Sequence, residues 1–398
     1  MRTHIDLSAS AIGREHARSG AVASWRFPLL VAAILALTMG LWGGLTRMGW
    51  AWPAPTGAII EHGGIMVGGF LGTLLGLERA VALGRRWCYI GPAASAAGAI
   101  LLIAGAPPIP AIALMLLASL VMLLDFYFIL RRRAAMFTLV MATGAAAWVV
   151  GNALWLAGQP IEQLVFWWIG FLVLTIAGER LELSRLLPQS AQKCTGFAAA
   201  ATLFLLGLAV TSFYSGLGEG LAGLGLVAVA TWLAIYDVAR RTVSGTGLTR
   251  FVAVCLLSGY LWLGVAGILA AAYGAFLPLI HGEPAAQWAL GSGANYDATL
   301  HALFLGFVFA MIFGHAPIIF PAVLGVRIVY SRRFYIHLLV LQISVLGRIA
   351  GDLFSDWTLR RWSGLLSAFA IILFFSQTVF AIRRNDRLPP GQSKGGLT

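Results

Sequence analysis

The chain reads as long runs of aliphatic and aromatic residues separated by short polar breaks, and the length of the runs decides what they are. A helix needs about 20 apolar residues to cross the hydrocarbon core of a bilayer. Twelve such runs occur, over 27–50, 57–83, 88–105, 109–130, 135–156, 162–179, 195–213, 221–239, 250–276, 298–320, 333–352 and 362–382. They predict an all-α, polytopic membrane protein with a tail 1–26, a twelve-helix membrane domain 27–383 and a second tail 384–398. The first tail holds four arginines and no small-residue cleavage site after an apolar core, so it reads as a cytoplasmic tail and not as a signal peptide.

Composition points to the same solvent. Of 398 residues 60% are hydrophobic and 11% charged, where a soluble domain carries about 25% charged residues. The mean hydropathy is +0.87. A net charge of +12 would suggest nucleic acid if the basic residues gathered on a soluble module, but they are spread over the connections between runs, so nucleic acid is not expected as a partner. Cys88, Cys194 and Cys255 lie far apart in or beside apolar runs and frame neither a disulfide nor a thiolate metal site.

The spread of basic residues carries an orientation, because Lys and Arg in short loops are retained on the cytoplasmic side. Of the 27 basic residues, 23 fall in the two tails and in the even-numbered connections, all on one side. Arg47, Arg348, Arg360 and Arg361 are the four exceptions. This predicts a multi-pass protein of the bacterial inner membrane with both termini cytoplasmic.

Spans two and six share a pattern. Gly69-Phe70 precedes Glu78-Arg79 by the same gap that separates Gly170-Phe171 from Glu179-Arg180, at an offset of 101 residues. Spans four, eight and twelve each finish in arginines, so a threefold repeat of four-helix units is an expectation, with spans two, six and ten equivalent. The Glu-Arg pairs themselves read as helix-end anchors.

Four histidines fall within spans, where histidine is costly and is normally paired or functional. His62 and His301 lie at the starts of spans two and ten, at one shallow outer depth. His315 and His337 lie at one inner depth, at the end of span ten and the start of span eleven, and read either as a second site for a metal ion such as copper or as a pair of hydrogen-bonded interface histidines. A step of 14 residues is close to a whole number of helical turns, which predicts His301 and His315 on one face of span ten. On span two the face below His62 carries Met66, Gly69, Thr73 and Gly76, small enough for a flat macrocycle to lie against the backbone, while Gly64, Gly68, Gly72 and Gly76 form a ladder for close helix packing. Imidazole is the usual haem ligand and a good copper ligand.

The stretch from His301 to Gly325 runs from a histidine through glycine and aromatic residues into "GHAPIIFPAVLG". With twelve spans and histidines in spans two and ten, the chain resembles subunit I of the haem-copper oxidases, and this stretch resembles more specifically the NnrS family. Members of that family are described as binding haem and copper in bacteria that handle nitric oxide. The resemblance implies a haem on His62 and His301, copper as a second cofactor, and an electron-transfer or nitric oxide-related partner. It departs from the oxidases at the reducing centre: span six has Glu179 and Arg180 but no histidine, span seven no His-His pair and span ten no His-x-His. Reduction of oxygen or nitric oxide of the oxidase type is therefore not expected, and no residue is assigned as catalytic. The alternative class is a secondary transporter, for which Asp125, Asp237, an Arg348/Asp352 ion pair and a helix break at Pro317 and Pro321 would be the relevant features.

Overall fold

The computed structural model describes residues 26–132, 134–184, 190–281, 293–324 and 328–386. Residues 1–25 and 387–398, nearly all of the two tails, the connection 282–292, and Arg133, Arg185 and Arg327 lie outside the described residues. Twelve helices are long and apolar enough to cross a membrane: α1 Phe27–Arg47, α2 His62–Leu83, α3 Arg86–Ile103, α4 Pro108–Arg132, α5 Met136–Leu156, α6 Ile161–Ser184, α7 Ala191–Thr211, α8 Ser215–Tyr236, α9 Gly247–Ile280, α10 Ala294–Phe320, α11 Phe334–Leu353 and α12 Trp357–Ile382. No end departs from the expected span by more than six residues. There is no strand among the described residues. A bilayer leaves no water for backbone groups, so the helix, which satisfies its own, is the form these runs take.

Stops are set locally. Gly84 after α2 (φ +65°) and Gly158 after α5 (φ +88°) take the left-handed conformation that closes a helix, and their amides bond back to Ala80 and Trp155. Sequential helices pack on one another around the bundle, and α12 returns to touch α1. The helices the repeat makes equivalent hold comparable places: α6 and α10 are the most enclosed of the twelve, and α2 equals α8 behind them. Phe70 of α2 stacks on Phe309 of α10 with ring centroids 6.0 Å apart, each eight residues after a histidine.

Lipid tails are as apolar as leucine, so helices hold together by close contact and by polar cross-links. Between α7 and α8 a Cβ on Gly207 would fall on the backbone of Ala222, and one on Gly225 on that of Phe204. The α2 ladder works the same way, with Gly64 against Trp155, Gly68 against Met115 and Gly72 against Trp148. Gly69 and Gly76 are covered by Ala99 and Pro92, so the small face below His62 is filled by α1 and α3 and offers no bed for a macrocycle.

The charges expected to anchor helix ends instead cross-link helices. Arg79 pairs with Glu179, joining α2 to α6. Arg180 forks onto Asp237 beyond α8, with Nε to Oδ2 at 2.8 Å and Nη2 to Oδ1 at 2.9 Å. Each Glu-Arg motif thus contributes one member to a shared inter-helix pair. Arg348 does not pair with Asp352: its fork meets both oxygens of Asp297 on α10, and Asp352 pairs with Arg360 on α12. The planar guanidinium favours the two-oxygen contact across helices over a single contact along its own helix. The expected break at Pro317 is absent as well, since α10 stays helical through it and is irregular nearer His301.

Candidate functional site

At the end of the bundle where α2 and α10 begin, a cavity of about 630 Å³ opens between α1, α2, α6, α10, α11 and α12. His62 and His301 both line it. The two rings are held in the same manner. His62 Nδ1 sits 2.7 Å from the carbonyl of Gly40 on α1, and His301 Nδ1 sits 2.8 Å from the carbonyl of Asp297 one turn earlier and 3.2 Å from its carboxylate. A carbonyl can only accept, so in each ring Nδ1–H donates and the lone pair is left on Nε2. This is the tautomer that metal-ligating histidines adopt, with the far nitrogen fixed by an oxygen.

Both histidines stand at the head of an irregular segment. Ile65–Gly72 in α2 and Ala302–Phe309 in α10 are π-helical. A π turn inserts one residue into the α-helical register and is frequent at functional sites. Each inserted residue rotates the register by about 100°, so the regular turn expected between His301 and His315 is interrupted within α10. His301 lines the cavity, while His315 lies further along α10 toward the other end of the bundle.

Backbone approach makes room for His62. A Cβ on Gly44 would come 2.8 Å from His62 Cε1, so α1 presses its bare backbone onto the imidazole. Trp155 and Trp168, edge to face at 5.3 Å, wall the cavity on the α5–α6 side. Trp168 is fixed by donating Nε1–H to Asn152 Oδ1 at 3.0 Å, and Asn152 in turn donates to the carbonyl of Met115 at 3.0 Å.

The charged wall is the part that residue types alone did not reveal. Asp297 takes Arg348 through Nε at 3.0 Å and Nη2 at 3.1 Å, and Arg360 Nη2 at 3.3 Å. Arg360 Nε reaches Asp352 at 2.9 Å, and Arg348 Nη1 lies 2.9 Å from Met48 Sδ. Arg47, Glu61 and Glu162 complete the charged lining. Burial raises the Glu61 carboxyl above its ordinary value. One signal for this wall was present in the sequence: of the four arginines on the side nearly free of positive charge, Arg47, Arg348 and Arg360 line the cavity, and Arg361 lies over Trp50 at 4.2 Å.

His315 and His337 have different surroundings. His315 Nδ1 bonds the carbonyl of Met311 at 2.7 Å. His337 is enclosed by the rings of Phe251, Phe313, Phe334 and Phe374, with Nδ1 on Gln377 Oε1 at 2.9 Å. No hydrogen bond or ring contact joins the two, and among the described residues no group of three or more His, Cys, Asp or Glu converges as a metal shell.

A family match spans this whole architecture, covering residues 26–383. The chain belongs to DUF8744, a domain of unknown function. No curated protein and no solved structure matches it. The family description carries no activity, so a functional reading rests on the cavity.

Proposed function

We propose that this chain is an NnrS-like membrane haem protein, linked to nitric oxide metabolism or resistance, in which His62 and His301 would hold the haem. The observation that carries the reading is the matched pair of imidazoles on one cavity, each with Nδ1–H committed to a carbonyl and Nε2 left for a ligand. The volume lies within the roughly 300–1,000 Å³ of small-molecule and cofactor sites. Arginine forks suit the carboxylates of a porphyrin edge, and Arg47 and Arg360 are among the cavity's lining residues. A haem held by two imidazoles supplies one-electron transfer. The chain's own part is to hold the rings, exclude water with Trp155 and Trp168, and balance charge through Asp297 and Arg348.

An absorption spectrum of the protein purified after growth with haem precursor tests this. A sharp Soret band is expected, lost in His62→Ala and in His301→Ala and kept in His315→Ala. A wild-type protein that takes up no haem overturns it. Copper measured in the His315→Ala/His337→Ala double variant tests the second cofactor: unchanged copper removes the inner pair from consideration.

A transporter is the second reading, favoured by the same cavity's three arginines beside three carboxylates and by the two irregular segments flanking it. Proteoliposomes that accumulate a charged solute while showing no Soret band would decide for it.

A further inference from the structure

A second cavity, of about 510 Å³, lies at the opposite end of the bundle, where α9 and α11 begin. Thr246, Gly247, Arg250, Val254, Tyr330, Arg332 and Tyr335 line it. None of the seven is acidic and two are arginines, so among the described residues the concavity is positive with no carboxylate in its wall to neutralise it. We propose that it binds a phosphate-bearing anion, the source being either the headgroup of an anionic phospholipid or a free phosphate compound.

Three further features fit that ligand. The cavity holds the first residues of a 25-residue helix, Gly247–Ala271, whose leading amides have no partner within the helix and whose dipole favours an anion. The Thr246 side chain makes no capping bond to those amides, and Gly247, at φ +63°, has open space where a Cβ would stand, so the amides are reachable. Phe251 packs its ring against both tyrosines, at 6.3 Å from Tyr330 and 5.3 Å from Tyr335, which holds their hydroxyl-bearing rings at the cavity. Arginine and tyrosine together at a helix start are what an interfacial phosphate calls for.

The apolar surroundings favour the lipid as the source. Val254 closes the cavity on the membrane side, and the exposed stripe Ile336, Leu339 and Ile343 of α11 starts one residue after Tyr335. A headgroup in the cavity would leave an acyl chain lying along that stripe. The sequence orientation also places this end on the cytoplasmic side, where basic pockets between helices bind anionic headgroups. The outer haem site plays no part in this argument.

The test uses the full-length protein in detergent with added lipid, read by native mass spectrometry and by melting temperature. Phosphatidylglycerol should bind and raise the melting temperature, and phosphatidylcholine should not. Arg250→Gln and Arg332→Gln should each weaken phosphatidylglycerol binding about fivefold, and the pair about 25-fold. Should the paired variant fold poorly, Thr246→Glu, which places a carboxylate in the cavity and keeps both arginines, is expected to give a similar loss. Inorganic phosphate that competes with the lipid at millimolar concentration identifies a free phosphate compound as the source, and phosphate without effect identifies the lipid. Phosphatidylglycerol retained equally by the wild type and these variants, or bound no better than phosphatidylcholine, overturns the proposal.

Discussion

Asp297 is where the charges of the His62–His301 cavity converge, and Asp297→Ala separates what that carboxylate neutralises from what it merely contacts. It takes two bonds from Arg348, at 3.0 and 3.1 Å, with Arg360 at 3.3 Å and His301 at 3.2 Å. Arg348 is only 5% exposed, and among the described residues Asp297 is its one ion-pair partner. Truncation leaves an enclosed guanidinium without a counter-charge, and breaking a buried pair in this way costs about 3–5 kcal/mol. Arg360 keeps Asp352 at 2.9 Å and so does not become a second orphan. The wall around the stranded group is polar, which points to the lower end, about 3 kcal/mol or roughly 150-fold in the folding equilibrium. Asp297→Ala combined with Arg348→Met removes both charges and recovers at least about half of the loss. Reversible unfolding of the four proteins of this cycle, in one lipid-detergent mixture, measures the coupling. The reasoning fails if Asp297→Ala costs under about 1 kcal/mol, or if the double variant is as unstable as the two single losses added together.

Three other substitutions probe separate parts of the molecule. Gly44→Val drives a side chain into His62 and lowers haem occupancy at least tenfold, whereas Gly84→Ala, in open space at φ +65°, costs about 1 kcal/mol of stability and leaves the spectrum unchanged; equal spectra for both would refute the assigned packing. Arg180→Ala strands Asp237, which is fully enclosed, and should cost about 3–5 kcal/mol while leaving unchanged any haem spectrum from the proposed site at His62 and His301, as unfolding and absorption of the same sample will show. Burial raises the Glu61 carboxyl, so the folded chain binds that proton to higher pH than the unfolded chain does; unfolding free energy falls as pH rises from the ordinary carboxylate value through the raised one, and Glu61→Gln flattens that segment of the profile. Identical slopes for the wild type and Glu61→Gln would remove Glu61 from the site's electrostatics.

The twelve helices were legible along the chain because their cause is local: each run is long enough to span, and a bilayer permits no other backbone arrangement for it. The common depth of His62 and His301 was legible for the same reason, since both stand at the head of a span that starts on one side. The arginine exceptions to the charge asymmetry were visible too, although not their common destination. What sequence spacing could not supply is which faces meet. Arg348 and Met48 touch across 300 positions of chain, and Arg79 meets Glu179 across 100. No periodicity encodes those meetings, because they follow from packing twelve helices at once. The π turns show the other limit: an inserted residue rotates everything beyond it, so the regular turn that put His301 and His315 on one face does not exist in α10. Sequence alone determined the solvent, the number of helices and the depths at which polar groups sit. Only the tertiary structure decided which carboxylate each arginine holds, that His62 and His301 share a cavity, and that His315 and His337 sit among different partners, because those outcomes belong to contacts between faces and not to any one helix.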